Sequence, residues 1–303
     1  RMVDESTTGC ADFEPMATIT VEIASEGSDP TGAKPECMGY YTLSPAKYYY
    51  TPDLPAVGTL PASLGQEVTI TATPRAGYKF VKWVGTGKYK LGDAEVPLGD
   101  DDLTVTTNPI TVVMHSSRTL KAVFELRKAL VITGEGWTVP STAASGALEA
   151  CRYKVSDRPL PKVSDVLEVL AKHEVFVYIG HGGTDWMTFQ YPCMFCNPDQ
   201  VERLFLGDIT ASGMSPTYKL AVMECCAAGD NANNWKSAFN AEAYVGCSSS
   251  MPAYILKQFD PVFWELIGQG VTSAEAARQT VTETGINASW VITRGDRGLK
   301  GCN

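Results

Sequence analysis

The chain has no run of about 18 apolar residues, so no helix of it is expected to span a membrane. Positive charge is also short: 25 Lys and Arg stand against 34 Asp and Glu, a net charge of −9. That balance argues against nucleic acid as a partner, because phosphate binding needs a basic surface. Tandem repeats and low-complexity tracts are missing. No signal peptide is visible, and the chain begins at Arg1 rather than Met, as expected where a leader has been removed. The single CxxC, Cys193 and Cys196, has no second pair to complete it, whereas structural zinc takes about four ligands. It lies in an irregular stretch, not at a helix start, which excludes a thioredoxin-type site. A local disulfide, or two separate bridges, suits it better.

What is present describes an ordinary globular protein. The 303 residues suggest two domains, and 44% hydrophobic with 19% charged content is enough to bury real cores. Nine cysteines, at 10, 37, 151, 193, 196, 225, 226, 247 and 302, are many for a reducing compartment. In an exported protein the odd number leaves one thiol over for chemistry.

Residues 1–16 are polar and irregular, a tail or linker. From Ala17 to Glu125 the grammar is β. Thr18–Ile23 alternates, and Glu67–Thr73 places Val68, Ile70 and Ala72 on one face. After the turn Pro74–Gly77, Tyr78–Val84 reads as the return strand. Pro109–Met114 and Leu120–Phe124 read as a final pair across Ser116 and Ser117. The insertion 24–60 is rich in Pro, Gly and Tyr, including Tyr40, Tyr41, Tyr48, Tyr49 and Tyr50; loop packing and a carbohydrate or partner platform are its two readings. Asp93 and the run Asp100–Asp102 carry oxygens of the kind that ligate calcium, and equally read as a solvated acidic loop. GQEVTITATPRAGYKFVKWVG followed by NPITVVMHSSRTLKAVFE resembles the internalin-type B repeat of bacterial surface proteins, over about residues 60–125 plus the strand near 18–23. That resemblance implies a small extracellular β module and no chemistry.

From 126 to 303 strand and helix alternate. Ala129–Thr133 is a short buried-type strand, Ser141–Cys151 a helix, and Arg152–Val155 a second strand. Pro161–Lys172 is an amphipathic helix, with Val163, Val166, Leu167 and Leu170 on one stripe. A helix is expected near 198–205, a strand at Ala243–Cys247, and a helix over Tyr254–Gln269 stopped by Gly270. Thr272 and Glu275 suggest a capping box for the next helix, and Ser289–Thr293 a last strand. The series predicts an α/β domain, a mostly parallel sheet with helices on both faces, behind a small N-terminal all-β domain.

Two apolar runs in this half end in chemistry. Val175–Ile179 runs into Gly180, His181, Gly182 and Gly183; Leu220–Met223 runs into Glu224, Cys225 and Cys226, then Ala227, Ala228 and Gly229. Strands of an open α/β sheet build their sites at their C-terminal ends. A thiol becomes a strong nucleophile as thiolate, and a nearby imidazole favours that form. Glycine lets backbone N–H groups approach a developing oxyanion. The alternative for Cys226 is a buried or disulfide-bonded cysteine, and for His181 a satisfied core histidine. Cys225 should face the other side of its strand, as core or bonded to Cys247. His173, at a helix end, reads as a surface or capping residue, and His115 as part of a β turn. Arg294-Gly295-Asp296 is a tripeptide that recurs by chance, and Trp83 and Trp264 read as packing.

VFVYIGHGG followed by KLAVMECCAAGD is similar to the two signature blocks of the caspase-like (clan CD) cysteine peptidases, the group of caspases, metacaspases, legumains, gingipains and clostripain. The resemblance covers about residues 127–293 and includes the AYVGCSSS strand and the two helices after it. It implies Cys226 as nucleophile, His181 as general base and acid, and the N–H groups of Gly182 and Cys226 as oxyanion hole. Glu224 matches the acid that lines the first specificity pocket in metacaspases, which implies cleavage after Arg or Lys; legumains carry an acid there and prefer Asn. Asp185 could serve instead or as well. The turn AAGD departs from the group's commoner Ser- or His-containing turns. The expected function is an exported bacterial cysteine endopeptidase needing no metal or organic cofactor, with calcium activation conceivable by analogy with metacaspases. Its partners would be a protein or peptide substrate, plus a cell-surface or extracellular partner for the β module. The alternative is a surface adhesin or structural subunit whose caspase-like domain does not cut.

Overall fold

The computed structural model describes residues 16–26, 38–44, 57–75, 77–85, 87–91, 94–98, 105–134, 138–159, 161–189, 202–248 and 252–299. The chain divides into two compact units, Arg1–Glu125 and Leu126–Asn303.

The first unit is all β. Its strands are β1 (Met16–Ser25), β2 (Gly39–Ser44), β3 (Val57–Ser63), β4 (Glu67–Pro74), β5 (Tyr78–Gly85), β6 (Gly87–Leu91), β7 (Ala94–Leu98), β8 (Ile110–Val113) and β9 (Arg118–Leu126). They form two sheets, ordered β3-β1-β9-β5 and β2-β4-β8-β6-β7. The alternating residues are buried as their period demands: Ile19, Val21 and Ile23 from β1, Val68, Ile70 and Ala72 from β4. The pairing differs from the sequence reading. β4 pairs with β2 and β8, while β5 belongs to the other sheet beside β9. The expected hairpin from β4 to β5 is therefore a crossing between sheets, and so is the step from β8 to β9. Period 2 says which face a residue takes but not which strand lies alongside. Tyr41, from the insertion, is core and Tyr40 is exposed. Asp93, Asp100–Asp102 and Tyr48–Tyr50 lie outside the described residues, as do Cys193 and Cys196.

The second unit is built on a six-stranded sheet. Its strands are β10 (Lys128–Thr133), β11 (Lys154–Pro159), β12 (Val175–Ile179), β13 (His181–Gly182), β14 (Trp186–Thr188), β15 (Arg203–Phe205), β16 (Leu220–Glu224), β17 (Ala243–Cys247) and β18 (Val291–Arg294). The main sheet runs β11-β10-β12-β16-β17-β18, parallel except for β18, which pairs antiparallel with β17. Helices α1 (Thr138–Ala150), α2 (Val163–Leu170), α3 (Leu206–Ala211), α4 (Ala232–Ala238), α5 (Ala253–Gly268) and α6 (Ser273–Thr284) cover it. α1, α5 and α6 pack on one face with Val177, Ile179, Leu220 and Val222. α2, α3 and α4 pack on the other with Phe176, Tyr178, Ala221 and Met223. The central strands β12, β16 and β17 are buried along their whole length, as strands covered on both faces must be.

Two local expectations change, and of the two readings of Cys225 the core one holds. Residues 203–205 form β15 rather than part of a helix, and α3 begins only at Leu206. α6 is not closed by a capping box: the Asp296 carboxylate accepts from the Ala274 N–H (2.9 Å) and the Thr272 hydroxyl (2.9 Å). The stretch Arg294–Asp296 thus serves a helix N-terminus, where a carboxylate is favoured. Cys225 and Cys247 are both free; they sit in opposite layers of the sheet, so no bridge joins them.

Candidate active site

β12 and β16 are adjacent parallel strands, paired so that Ile179 lies opposite Glu224. The Gly180 N–H carries the ladder one step further by donating to the Glu224 carbonyl, at 3.2 Å. His181 and Cys226 each stand two residues past that register pair, at the C-terminal edge of neighbouring strands about 4.8 Å apart. Both are half-buried. Directly after Cys226 the chain reverses through Ala227, a non-glycine residue in left-handed conformation (φ 57°, ψ 4°), into a 3-10 turn at Ala228–Asn231. A methyl side chain bears that conformation at a cost of about 1 kcal/mol.

His181 opens a small antiparallel sheet. Its partner across β14 is Thr188, and Thr188 in turn pairs with Arg203 on β15. The Tyr178 hydroxyl pins this segment: it lies between the carbonyl oxygens of His181 (2.6 Å) and Thr188 (2.5 Å), and accepts from the Thr188 N–H (3.2 Å). Burial holds the Tyr178 phenol well above its usual range, so it stays a donor. The hairpin turn is tied to α4 by the Trp235 indole N–H, which donates to the Thr184 carbonyl at 2.9 Å. Burial lowers the His181 pKa, so its imidazole is neutral at neutral pH and can accept a proton.

Gly182, expected to supply an oxyanion donor, lies against Cys225. A Cβ there would come within 2.6 Å of the Cys225 Sγ and 3.0 Å of its Cβ. This residue is glycine for space, because the loop and the cysteine strand touch backbone to side chain. Cys225 and Cys247 are buried, and burial raises both thiol pKa values. Of the three cysteines outside disulfides among the described residues, Cys226 alone is not buried.

Glu224 is a correction. Expected to line a substrate pocket, it is 2% exposed. The alternation that sends Cys225 into one layer sends Glu224 into the other, against α5. There its Oε1 accepts from the Trp264 indole N–H at 3.0 Å, and it neighbours Asp260, which is wholly buried. Glu224 Oε2 and both Asp260 oxygens have no hydrogen-bond partner. Two carboxylates offer only acceptors, so a proton shared between them is what can satisfy the pair. Accordingly burial lifts Glu224 to about 7 and raises Asp260 well above the carboxylate range. Asp185 is exposed at the hairpin turn, where its carbonyl accepts from the Leu206 N–H at 2.8 Å. His173 is buried and caps α2: its Nδ1 lies 2.9 Å from the Val169 carbonyl. Among the described residues no group of three or more His, Cys, Asp or Glu could hold a metal.

Sequence reasoning missed Tyr178, Asp260, Trp264 as a polar partner, and the pair Trp186–Arg203, whose guanidinium lies 4.9 Å from the indole centroid. The available signals were a hydroxyl inside the apolar run VFVYI and an acid on the buried stripe of α5.

A family model described as the divergent InlB B-repeat domain matches residues 57–128, the region whose strands resemble that repeat. No curated protein matches the chain. Two crystal structures of the Saccharomyces cerevisiae separase–securin complex, at 2.6 and 3.0 Å resolution, align with TM-scores of 0.41 and 0.38 and identities of 11% and 13%. Each alignment covers 57% of this chain, and the chain spans 12% of the chain it matches. No helix among the described residues is long and apolar enough to cross a membrane.

Proposed function

We propose that the C-terminal unit is a caspase-like cysteine endopeptidase acting through Cys226 and His181, and that the chain works outside the cell. The observation that carries this reading is the register of β12 and β16, which leaves the imidazole and the solvent-accessible thiol at matching positions past two neighbouring strand ends. The neutral His181 imidazole takes the Cys226 proton, and the thiolate adds to the scissile carbonyl carbon. Backbone N–H groups of Gly182 and Cys226 hold the oxyanion. As the C–N bond breaks, His181 returns the proton to the leaving amine. Water, deprotonated by His181, then hydrolyses the thioester; an amine taking its place would give ligation. Of the two candidate carboxylates, Glu224 is buried and Asp185 exposed, so Asp185 is the one proposed to favour Arg or Lys before the cut bond. The B-repeat match and the disulfide-bonded Cys151 support export, since disulfides persist in oxidising compartments.

The test is thiol labelling of the folded chain by iodoacetamide or a peptidyl chloromethyl ketone at neutral pH. Cys226 should react selectively and faster than a denatured thiol, and His181→Ala should remove the excess rate. Labelling no faster than an unfolded thiol, with no peptide cleavage, would instead favour a surface scaffold whose domain does not cut.

A further inference from the structure

The sheet that begins at His181 has two unlike faces. Met187 on β14 and Leu204 on β15 are fully buried in the layer of α2–α4. Residues directly opposite in an antiparallel pair share a face. His181, Thr188 and Arg203 therefore form one cross-strand row on the other face, and Trp186 and Phe205 form the next. On that face Phe205 is 41% exposed, Arg203 is exposed and Trp186 is half-buried.

The Trp186 indole is held from below by the glycine loop. A Cβ on Gly183 would come within 2.5 Å of Trp186 Nε1, so the ring lies directly on the backbone two residues after His181. The Arg203 Cζ lies over the same ring, 4.9 Å from its centroid. A guanidinium held over an indole by a cation–π contact keeps N–H donors for a further partner, and its fork is the geometry that meets a carboxylate bidentately. No carboxylate pairs with Arg203 among the described residues. The chain as a whole carries a net charge of −9, so a cation beside the candidate site with no carboxylate partner among the described residues stands out against its surroundings.

The geometry points to Arg203, seated on Trp186, as a subsite for an acidic side chain of the peptide substrate. Two inter-strand spacings put Arg203 about 10 Å from His181, which an extended peptide covers in about three residues. The acid would thus stand about three residues from the scissile bond. This assignment rests on the peptidase reading above, and the two are tested separately.

Binding is measured on the full chain carrying Cys226→Ala, by fluorescence anisotropy of dye-labelled octapeptides in which a single Glu or Gln is moved along the sequence. At one position the Glu peptide should bind about tenfold tighter than its Gln counterpart, the scale of one charge-assisted fork. The advantage should shrink at high salt. It should vanish in Arg203→Gln, and most of it should be lost in Arg203→Lys, which keeps the charge without the fork. Equal binding of Glu and Gln peptides, or a Glu advantage that survives Arg203→Gln, would overturn the subsite. Cleavage of a peptide library by the chain with Cys226 intact, read by mass spectrometry, separates the two ideas. Cys226-dependent cleavage with no acidic preference sinks the subsite alone. An Arg203-dependent Glu advantage without any Cys226-dependent cleavage keeps the subsite and sinks the peptidase.

Discussion

Replacing Glu224 by Gln should change how the protein's stability depends on pH. Glu224 and Asp260 share a buried space in which three of four carboxyl oxygens lack a donor, and burial lifts Glu224 from 4.5 to about 7. A group whose folded pKa is raised binds a proton in the native state that the unfolded chain has already released. Its stabilising contribution is complete below pH 4.5 and is lost as the pH climbs to about 7. At about 1.4 kcal/mol per unit the loss from Glu224 is about 3 kcal/mol. Gln keeps the shape, can still accept from Trp264, and offers Asp260 an N–H donor. His173 and His181, whose pKa values burial lowers, pull the other way below about pH 6.5, so the quantity to read is the difference between variant and parent. The Lys219 partner lowers the Glu242 pKa and moves its transition below this window. Urea unfolding of both chains at pH 5, 6 and 7 should show Glu224→Gln gaining on the parent by about 2 kcal/mol across the series, the part of the loss that falls inside that window. Parallel pH profiles would mean that the pair is solvated or ionised in the native state, and would refute the shared-proton account.

Three further outcomes follow from single contacts. Gly182→Ala drives a methyl into Cys225 and the Trp186 carbonyl; it should cost about 1–3 kcal/mol and raise the reactivity of Cys225 toward iodoacetamide, checked by mass spectrometry of labelled peptides. Tyr178→Phe leaves the carbonyls of His181 and Thr188 without their buried donor. It should cost about 1–3 kcal/mol in urea unfolding, and slow Cys226 labelling by letting His181 drift. Asp296→Ala removes the carboxylate that closes α6 and should cost about 1 kcal/mol, seen as a lower thermal midpoint with Cys226 labelling unchanged.

The two strand ends that make up the candidate site are readable in the chain because each is a local signal. An apolar run long enough for one buried strand stops at glycines around His181, and another stops at the small residues after Cys226. Alternation along the second run already separates Cys225 from Cys226 and Cys225 from Glu224. The same arithmetic fixes which residues of β1 and β4 face inward.

What local pattern could not supply is the identity of the neighbour. Alternation in β4 is the same whether β5 or β8 lies beside it, and only the packing of two sheets sends β5 across to β9. Glu224 looks like a pocket acid from its place before the thiol. It becomes a buried group beside a second carboxylate only because α5 brings Asp260 and Trp264 against the same face of the sheet. Thr272 and Glu275 spell a capping box, yet Asp296, from the end of β18, reaches α6 first. Arg203 and Trp186 are ordinary surface residues in sequence, and it takes the pairing of β14 with β15 to set one over the other. Hydrophobic period and glycine placement act over a few residues and are written in the chain. Charge partners, caps and strand neighbours are chosen between segments far apart in sequence, where packing in three dimensions decides which of several locally acceptable partners arrives.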